Sequence, residues 1–168
     1  MTSTPPVRER DPAERMRSLR LFYSDWRPTR LGKALNSVNA WLSGLGLLPP
    51  ILVTLQVNGR RSGRLRSNVL VPATYAGHRF LVSMLGEDVE WVRNVRAAGG
   101  QAFIKRGKAL PILLTEVPAQ ERAPILKAYC EVATSGRHHF PLPPTAPIFE
   151  FAAIAAQYPV FRIDPRAP

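Results

Sequence analysis

From residue 51 to residue 117 the chain is a succession of short apolar runs broken by glycine-bearing turns, and nothing else in the sequence limits the fold so strongly. ILVTLQV (51–57), RSNVLVPAT (66–74), HRFLVSM (78–84), QAFIKR (101–106) and ALPILLTEV (109–117) are rich in β-branched and long aliphatic residues, the composition of strands. Most of the links between them are shorter than the roughly twelve residues a parallel crossover requires, so neighbours run antiparallel. Between the third and fourth runs, EDVEWVRNVRAAGG reads as a short helix. Asp88 is its expected N-cap, Trp91, Val92 and Val95 its apolar side, and Gly99 or Gly100 lies just past its end. Pro118 is expected to open a helix, PAQERAPILKAYCEVATSG, that ends at Gly136. APIFEFAAIAAQY gives a further helix before a terminal strand, PVFRI. Strands dominate the centre and helices the ends and crossovers. The fold class is therefore α+β, an antiparallel, closed or nearly closed β-barrel with peripheral helices.

The first 50 residues are organised differently. Residues 1–10 are polar and proline-bearing and are expected to be disordered. Asp11, Pro12 and Glu14 make a helix start, and that helix is expected to run to about Trp26, before Pro28. A second segment, LGKALNSVNAWLSGLGLL, places Leu35, Val38, Trp41, Leu42 and Leu45 at near-helical spacing and is stopped by Pro49 and Pro50. Its stripe suits packing on a core or contact with a membrane surface. The expected organisation is thus a disordered 1–10, a helical extension over 11–48 and a barrel domain over 49–168. No apolar run approaches the roughly 18 residues of a membrane span, no signal-peptide core is visible, and Cys130, the single cysteine, has no partner for an internal disulfide. A cytoplasmic protein is expected, with contact at the inner face of the membrane left open through 31–48.

Charge marks one place in this framework. The chain carries a formal charge of +11, and residues 31–110 hold 11 Lys and Arg against 3 Asp and Glu. Such an excess draws in anionic partners without choosing among them. It is densest in NGRRSGRLRSNV (58–69), where Arg60, Arg61, Arg64 and Arg66 crowd a connection between two strands. Two readings fit. The turn is well solvated, or it holds an anion with backbone N–H groups arranged as a nest, the Ser62 hydroxyl as a further donor and guanidinium forks on phosphate oxygens. The spacing matches neither a P-loop nor a dinucleotide fingerprint.

GRRSGRLRSNVLV, GHRFLVSMLG, DVEWVRNVRA and the terminal PVFRI, in that order, resemble the deazaflavin-dependent nitroreductase family over roughly residues 48–165. The family's run of glycine, basic residue, Ser or Thr, glycine and two spaced basic residues is met by Gly59, Arg61, Ser62, Gly63, Arg64 and Arg66, and its Trp-x-x-Asn element by Trp91 and Asn94. The resemblance implies an FMN-binding-like split β-barrel that binds coenzyme F420. It implies that Arg61, Ser62, Gly63, Arg64 and Arg66 hold the coenzyme's phosphate and acidic tail, that Ser83 lies along the deazaflavin ring, and that Trp91 and Asn94 lie near the other side of the groove. The sequence departs from the family at Asn68 and Val69, where Thr-Pro is common, and in the acidic MLGEDVEW.

The reaction this implies is F420-dependent reduction, a hydride passed to a small organic acceptor such as an activated C=C, a quinone or a nitro compound. The cofactor carries such chemistry and few side chains are obligatory. Tyr129, His138 and His139 are candidates to supply a proton or polarise the substrate, against the plainer reading of Tyr129 as helix packing and of the histidines as loop residues. No metal set is expected, because Cys130 and the paired histidines fit no common zinc spacing. No nucleic-acid partner is expected either, because aromatics are not interleaved with the arginines. FMN, whose phosphate would suit the same turn, is the alternative cofactor. A non-catalytic F420 carrier is the alternative function, and a homodimer is left open.

Overall fold

The computed structural model divides into two compact units, Met1–Asn36 and Ser37–Pro168, and describes residues 23–24, 27–28, 52–133 and 140–166. In the first unit β1 (Tyr23–Ser24) pairs antiparallel with β2 (Arg27–Pro28). The helix expected to reach Trp26 therefore does not extend over Tyr23 and Ser24. The apolar segment 31–48, Gly136, His138 and His139 lie outside the described residues.

The second unit holds one seven-stranded sheet. Its strands are β3 (Val53–Asn58), β4 (Leu65–Leu70), β5 (Pro72–Tyr75), β6 (His78–Val82), β7 (Gln101–Arg106), β8 (Lys108–Glu116) and β9 (Val160–Pro165). All pairings are antiparallel, in the order β4-β3-β7-β8-β9-β6-β5. The run 66–74, read as one strand, is two. β4 and β5 sit at opposite edges of the sheet although only Val71 separates them. One residue spans only about 3.5 Å, so the two edges come together at this corner and the sheet curls into a half-barrel. Pro72 marks the break as the first residue of the edge strand β5, one of the few sheet positions open to a residue without an N–H.

The curl gives the sheet an inside, and alternation along each strand fills it. Val53, Leu55 and Val57 of β3, Ala102 and Ile104 of β7, Ile112 and Leu114 of β8, Leu81 and Phe161 point inward with α1 (Glu90–Ala97), which adds Trp91, Val92 and Val95. The Trp91 ring meets Phe161 edge to face, centroids 5.5 Å apart. The other face of β5, β6 and β9, through Ala73, Phe80, Val82 and Val160, is covered by α2 (Ala123–Val132) and α3 (Ile148–Ile154). Burial on both faces is why β6 reads as the unbroken FLV rather than as an alternating strand.

Three helix boundaries differ from expectation. Val89, not Asp88, stands at the N-cap of α1 and offers no side-chain cap; the Asp88 carboxylate instead pairs with Arg93. The segment after Pro118 is a 3-10 turn, Ala119–Glu121, followed by α2, because Pro124 lacks the N–H that would join them into one helix. The last helix closes through a second 3-10 turn, Ala155–Gln157. The end of α1 uses both expected glycines. Gly99 and Gly100 have φ of 60° and 79°, and a Cβ on Gly100 would stand 2.3 Å from the carbonyl oxygen of Leu114. Glycine there lets α1 turn directly into the sheet.

Candidate functional site

The arginine-rich connection is a hairpin with Asn58 opposite Leu65. Gly59 donates its N–H to the Arg64 carbonyl at 2.9 Å, and its own carbonyl accepts from Ser62 (3.2 Å) and Gly63 (2.8 Å). Of the turn's backbone N–H groups that could form a nest, those of Ser62 and Gly63 are spent inside the turn and that of Arg60 on Asn94. What the hairpin offers an anion is chiefly the side chains of Arg61, Arg64 and Arg66, which are exposed. Gly63 supplies the left-handed residue, at φ 62°. Gly59 supplies room: a Cβ there would lie 3.2 Å from the Arg64 oxygen and 3.4 Å from Arg66 Cγ. Gly59→Ala is accordingly expected to lower stability by roughly 1–2 kcal/mol through overpacking, measured by urea unfolding.

The four arginines separate into two kinds. Arg60 is tied down. Its Nη1 and Nη2 donate to the Glu90 carboxylate at 2.7 and 3.2 Å, and its Nη1 and backbone N–H both donate to Asn94 Oδ1 at 3.1 Å. Arg61, Arg64 and Arg66 are exposed, and none forms an ion pair with a carboxylate among the described residues. Elsewhere Arg93, Arg96, Arg122 and Arg162 each pair with an Asp or Glu, while Arg79, Arg106 and Arg166 stand apart from one another without such a pair among the described residues; what sets the hairpin apart is three unpaired arginines within six residues. Three clustered guanidiniums repel one another, so their position on one hairpin leaves a concentrated positive tip with open donor capacity. Arg61 also contributes to the field that, after the Arg60 hydrogen bond, holds the Glu90 carboxyl below its ordinary value.

The other residues singled out in the sequence are dispersed. Asn94 is 4% exposed and meets the hairpin through Arg60. Trp91, 8% exposed, faces the barrel core. Ser83 is 1% exposed; its hydroxyl donates to the Gly86 carbonyl at 2.6 Å and its N–H to Pro159, which locks the turn after β6. Tyr129 belongs to the helical core, packed edge to face on Phe140, with its hydroxyl 3.3 Å from Met84 Sδ. Burial, with the neighbouring Cys130 adding to it, pushes its phenol above the ordinary value of 10.0, which disfavours ionisation.

Beside the hairpin, a groove of about 370 Å³ is lined by Asn58, Gly59, Arg60, Ala97, Ala98 and Gln101. A second, of about 250 Å³, shares Asn58 and Gln101 with it and extends to Phe103 and Arg166. Ser83 and Trp91 line neither. The pairing of Arg60 with Glu90 escaped the sequence reading because 30 residues separate them. The available signal was the i, i+4 spacing of Glu90 and Asn94, which puts both on one helix face.

Acid tests the ion pairs of this unit. The Arg96 hydrogen bond, then the fields of Arg96 and Arg122, hold the Glu116 carboxyl below its ordinary 4.5 against partial burial; Arg60 does the same for Glu90. A carboxyl depressed in the folded state contributes stability that is complete above its unfolded value and is lost as pH falls through its folded one. Stability in urea is therefore expected to hold from pH 7 to about 5 and to fall below about 4.5. Glu116→Gln is expected to be less stable at neutral pH and to lose less on acidification. Glu90, mostly exposed and open to screening by salt, contributes the smaller part.

No family model matches the chain, and no curated protein matches it in sequence. Solved structures do share its fold. A domain-swapped dimer covers 92% of this chain and 100% of its own at 19% identity and a TM-score of 0.51. A protein of unknown function from Agrobacterium tumefaciens str. C58 aligns at 11% identity and a TM-score of 0.52, with 86% of this chain and 60% of that one covered. An F420-H2 dependent reductase, FDR-A, aligns over 70% of this chain and 96% of its own at 21% identity and a TM-score of 0.48. At such identities the likeness concerns architecture, and the architecture is an α+β split barrel with a curled antiparallel sheet and, among the described residues, three helices.

Proposed function

We propose that the chain is a coenzyme F420-dependent oxidoreductase that reduces a small organic acceptor carrying an activated C=C, a quinone or a nitro group. The observation that carries the reading is the set of exposed arginines, Arg61, Arg64 and Arg66, on one hairpin without carboxylate partners among the described residues. Their order with Gly59, Ser62 and Gly63 is the family pattern found in the sequence. An elongated polyanion with a phosphodiester and several carboxylates suits such a tip, because guanidinium forks bind both groups in pairs. The residues fit the coenzyme's charged portion through side chains, given that the turn's Ser62 and Gly63 N–H groups are already bonded.

When bound and reduced, the deazaflavin supplies the hydride. The protein's part is to hold the acidic tail with Arg61, Arg64 and Arg66, to keep the hairpin in register with α1 through Arg60, and to exclude water with the apolar barrel. Tyr129 suits packing better than proton supply, since its hydroxyl is buried and its ionisation disfavoured. Fluorescence titration with F420, with FMN in parallel at low and moderate salt, tests the proposal. Saturable F420 binding supports it, and tight FMN with no F420 binding replaces the cofactor.

A further inference from the structure

Arg60 does work that the charge count of the hairpin conceals. Its side chain and its backbone amide are both held, and both lead to one helix: two nitrogens to Glu90, and Nη1 with the amide N–H to Asn94 Oδ1. Glu90 and Asn94 are one helical turn apart on α1, and α1 is fixed in the barrel by Trp91, Val92 and Val95, of which the two valines are 0% exposed. The hairpin tip is thereby referenced to the core across 34 residues of sequence. Asn94 Oδ1 accepts two hydrogen bonds, and a carbonyl oxygen has two lone pairs. Its acceptor capacity is spent inside the protein.

We infer that Asn94 is a positioning residue of the anion site, acting through Arg60 with Glu90 as the second arm of the latch. The inference rests on the hairpin being an anion site, as proposed above, and gives Asn94 a role without contact to the ligand. A tip with glycines at 59 and 63 would otherwise lose conformational freedom on binding. A latch formed beforehand removes that loss and leaves Arg61, Arg64 and Arg66 in a preset arrangement. Because Asn94 is uncharged, its removal separates positioning from electrostatics.

The test measures binding of F420 and of inorganic tripolyphosphate to the full chain as wild type, Asn94→Ala, Arg60→Met and the double variant, across a salt series, with amide exchange of the hairpin. Asn94→Ala is expected to expose the Arg60 amide to exchange and to weaken both ligands about tenfold, the scale of one hydrogen bond to a charged group. The slope of log Kd on log salt should stay unchanged, since no charge is lost. In the Arg60→Met background the same substitution should cost about threefold or less, because its side-chain partner is already gone. Equal losses in both backgrounds, or no loss at all, overturn the inference. Should Asn94→Ala fail to fold, Arg60→Lys decides: it keeps the charge but has no fork to span Glu90 and Asn94, so tripolyphosphate affinity should fall about threefold, and wild-type affinity would overturn the inference. If wild type binds tripolyphosphate through Arg61 and Arg64 but not F420, the cofactor reading fails and the latch is judged on tripolyphosphate alone. If wild type binds neither, both fall.

Discussion

Arg122→Ala lowers the stability of the chain by about 4 kcal/mol, the largest effect expected of any single substitution considered, and shifts Tm by roughly 8–16 °C. Arg122 is 6% exposed, and each of its three guanidinium nitrogens meets an acceptor. Nε donates to the Val117 carbonyl at 2.8 Å, Nη1 reaches the carbonyls of Ala155 and Tyr158 at 3.4 and 3.3 Å, and Nη2 meets Glu116 at 3.1 Å. One side chain thus joins the end of β8, the start of α2 and the 3-10 turn that leads to β9. Alanine would take the Arg122 donor from the Val117 and Tyr158 carbonyls, while the Ala155 carbonyl keeps the Tyr158 N–H at 3.3 Å, and a buried acceptor that loses its donor costs more than the mean worth of the bond. Arg122→Met keeps the apolar stem and should recover only the packing part. Glu116 still has Arg96, bonded at 2.8 and 2.7 Å, so the network loses one arm and not all of its charge balance. Urea and thermal unfolding measure the effect; a loss under about 1 kcal/mol would mean that water replaces the guanidinium and that the three elements do not depend on it.

Arg61→Ala combined with Arg64→Ala is expected to weaken F420 binding by about 100-fold or more, as the loss of two charge-assisted contacts implies. Tm should move by no more than about 2 °C, because both residues are exposed and neither forms an ion pair among the described residues. The salt dependence of binding should flatten in the double variant, since fewer screened contacts remain. The contrast with Arg122 is the useful part. Two kinds of arginine in one chain give opposite signatures: Arg122 moves stability, while Arg61 and Arg64 move ligand affinity alone.

Much of the barrel is legible in the sequence. The runs at 51–57, 78–84, 101–106 and 109–117 are β3, β6, β7 and β8 to within two or three residues, since apolar composition and glycine turns are local signals. Gly99 and Gly100 announce the end of α1 for the same reason. The division of 66–74 between the two sheet edges is not local: only Pro72 hints at it, and the order of strands that makes both edges meet there depends on residues far along the chain. Arg122 within QERAPIL looks like a solvated helix residue, and its burial follows from where β8 and the Ala155–Tyr158 turn come to lie. The candidate site divides likewise. The basic tip stands out in the sequence because charge density is local, whereas the separation of Arg60 from its neighbours requires Glu90 and Asn94 to be folded against it.

Fluorescence titration of wild type and the Arg61→Ala/Arg64→Ala variant with F420, with FMN as the parallel ligand, tests the central claim most directly. The account predicts saturable F420 binding by wild type that weakens with salt and drops about 100-fold in the variant at unchanged Tm. Wild-type protein that binds no F420, or a variant that binds it as tightly as wild type, would contradict it.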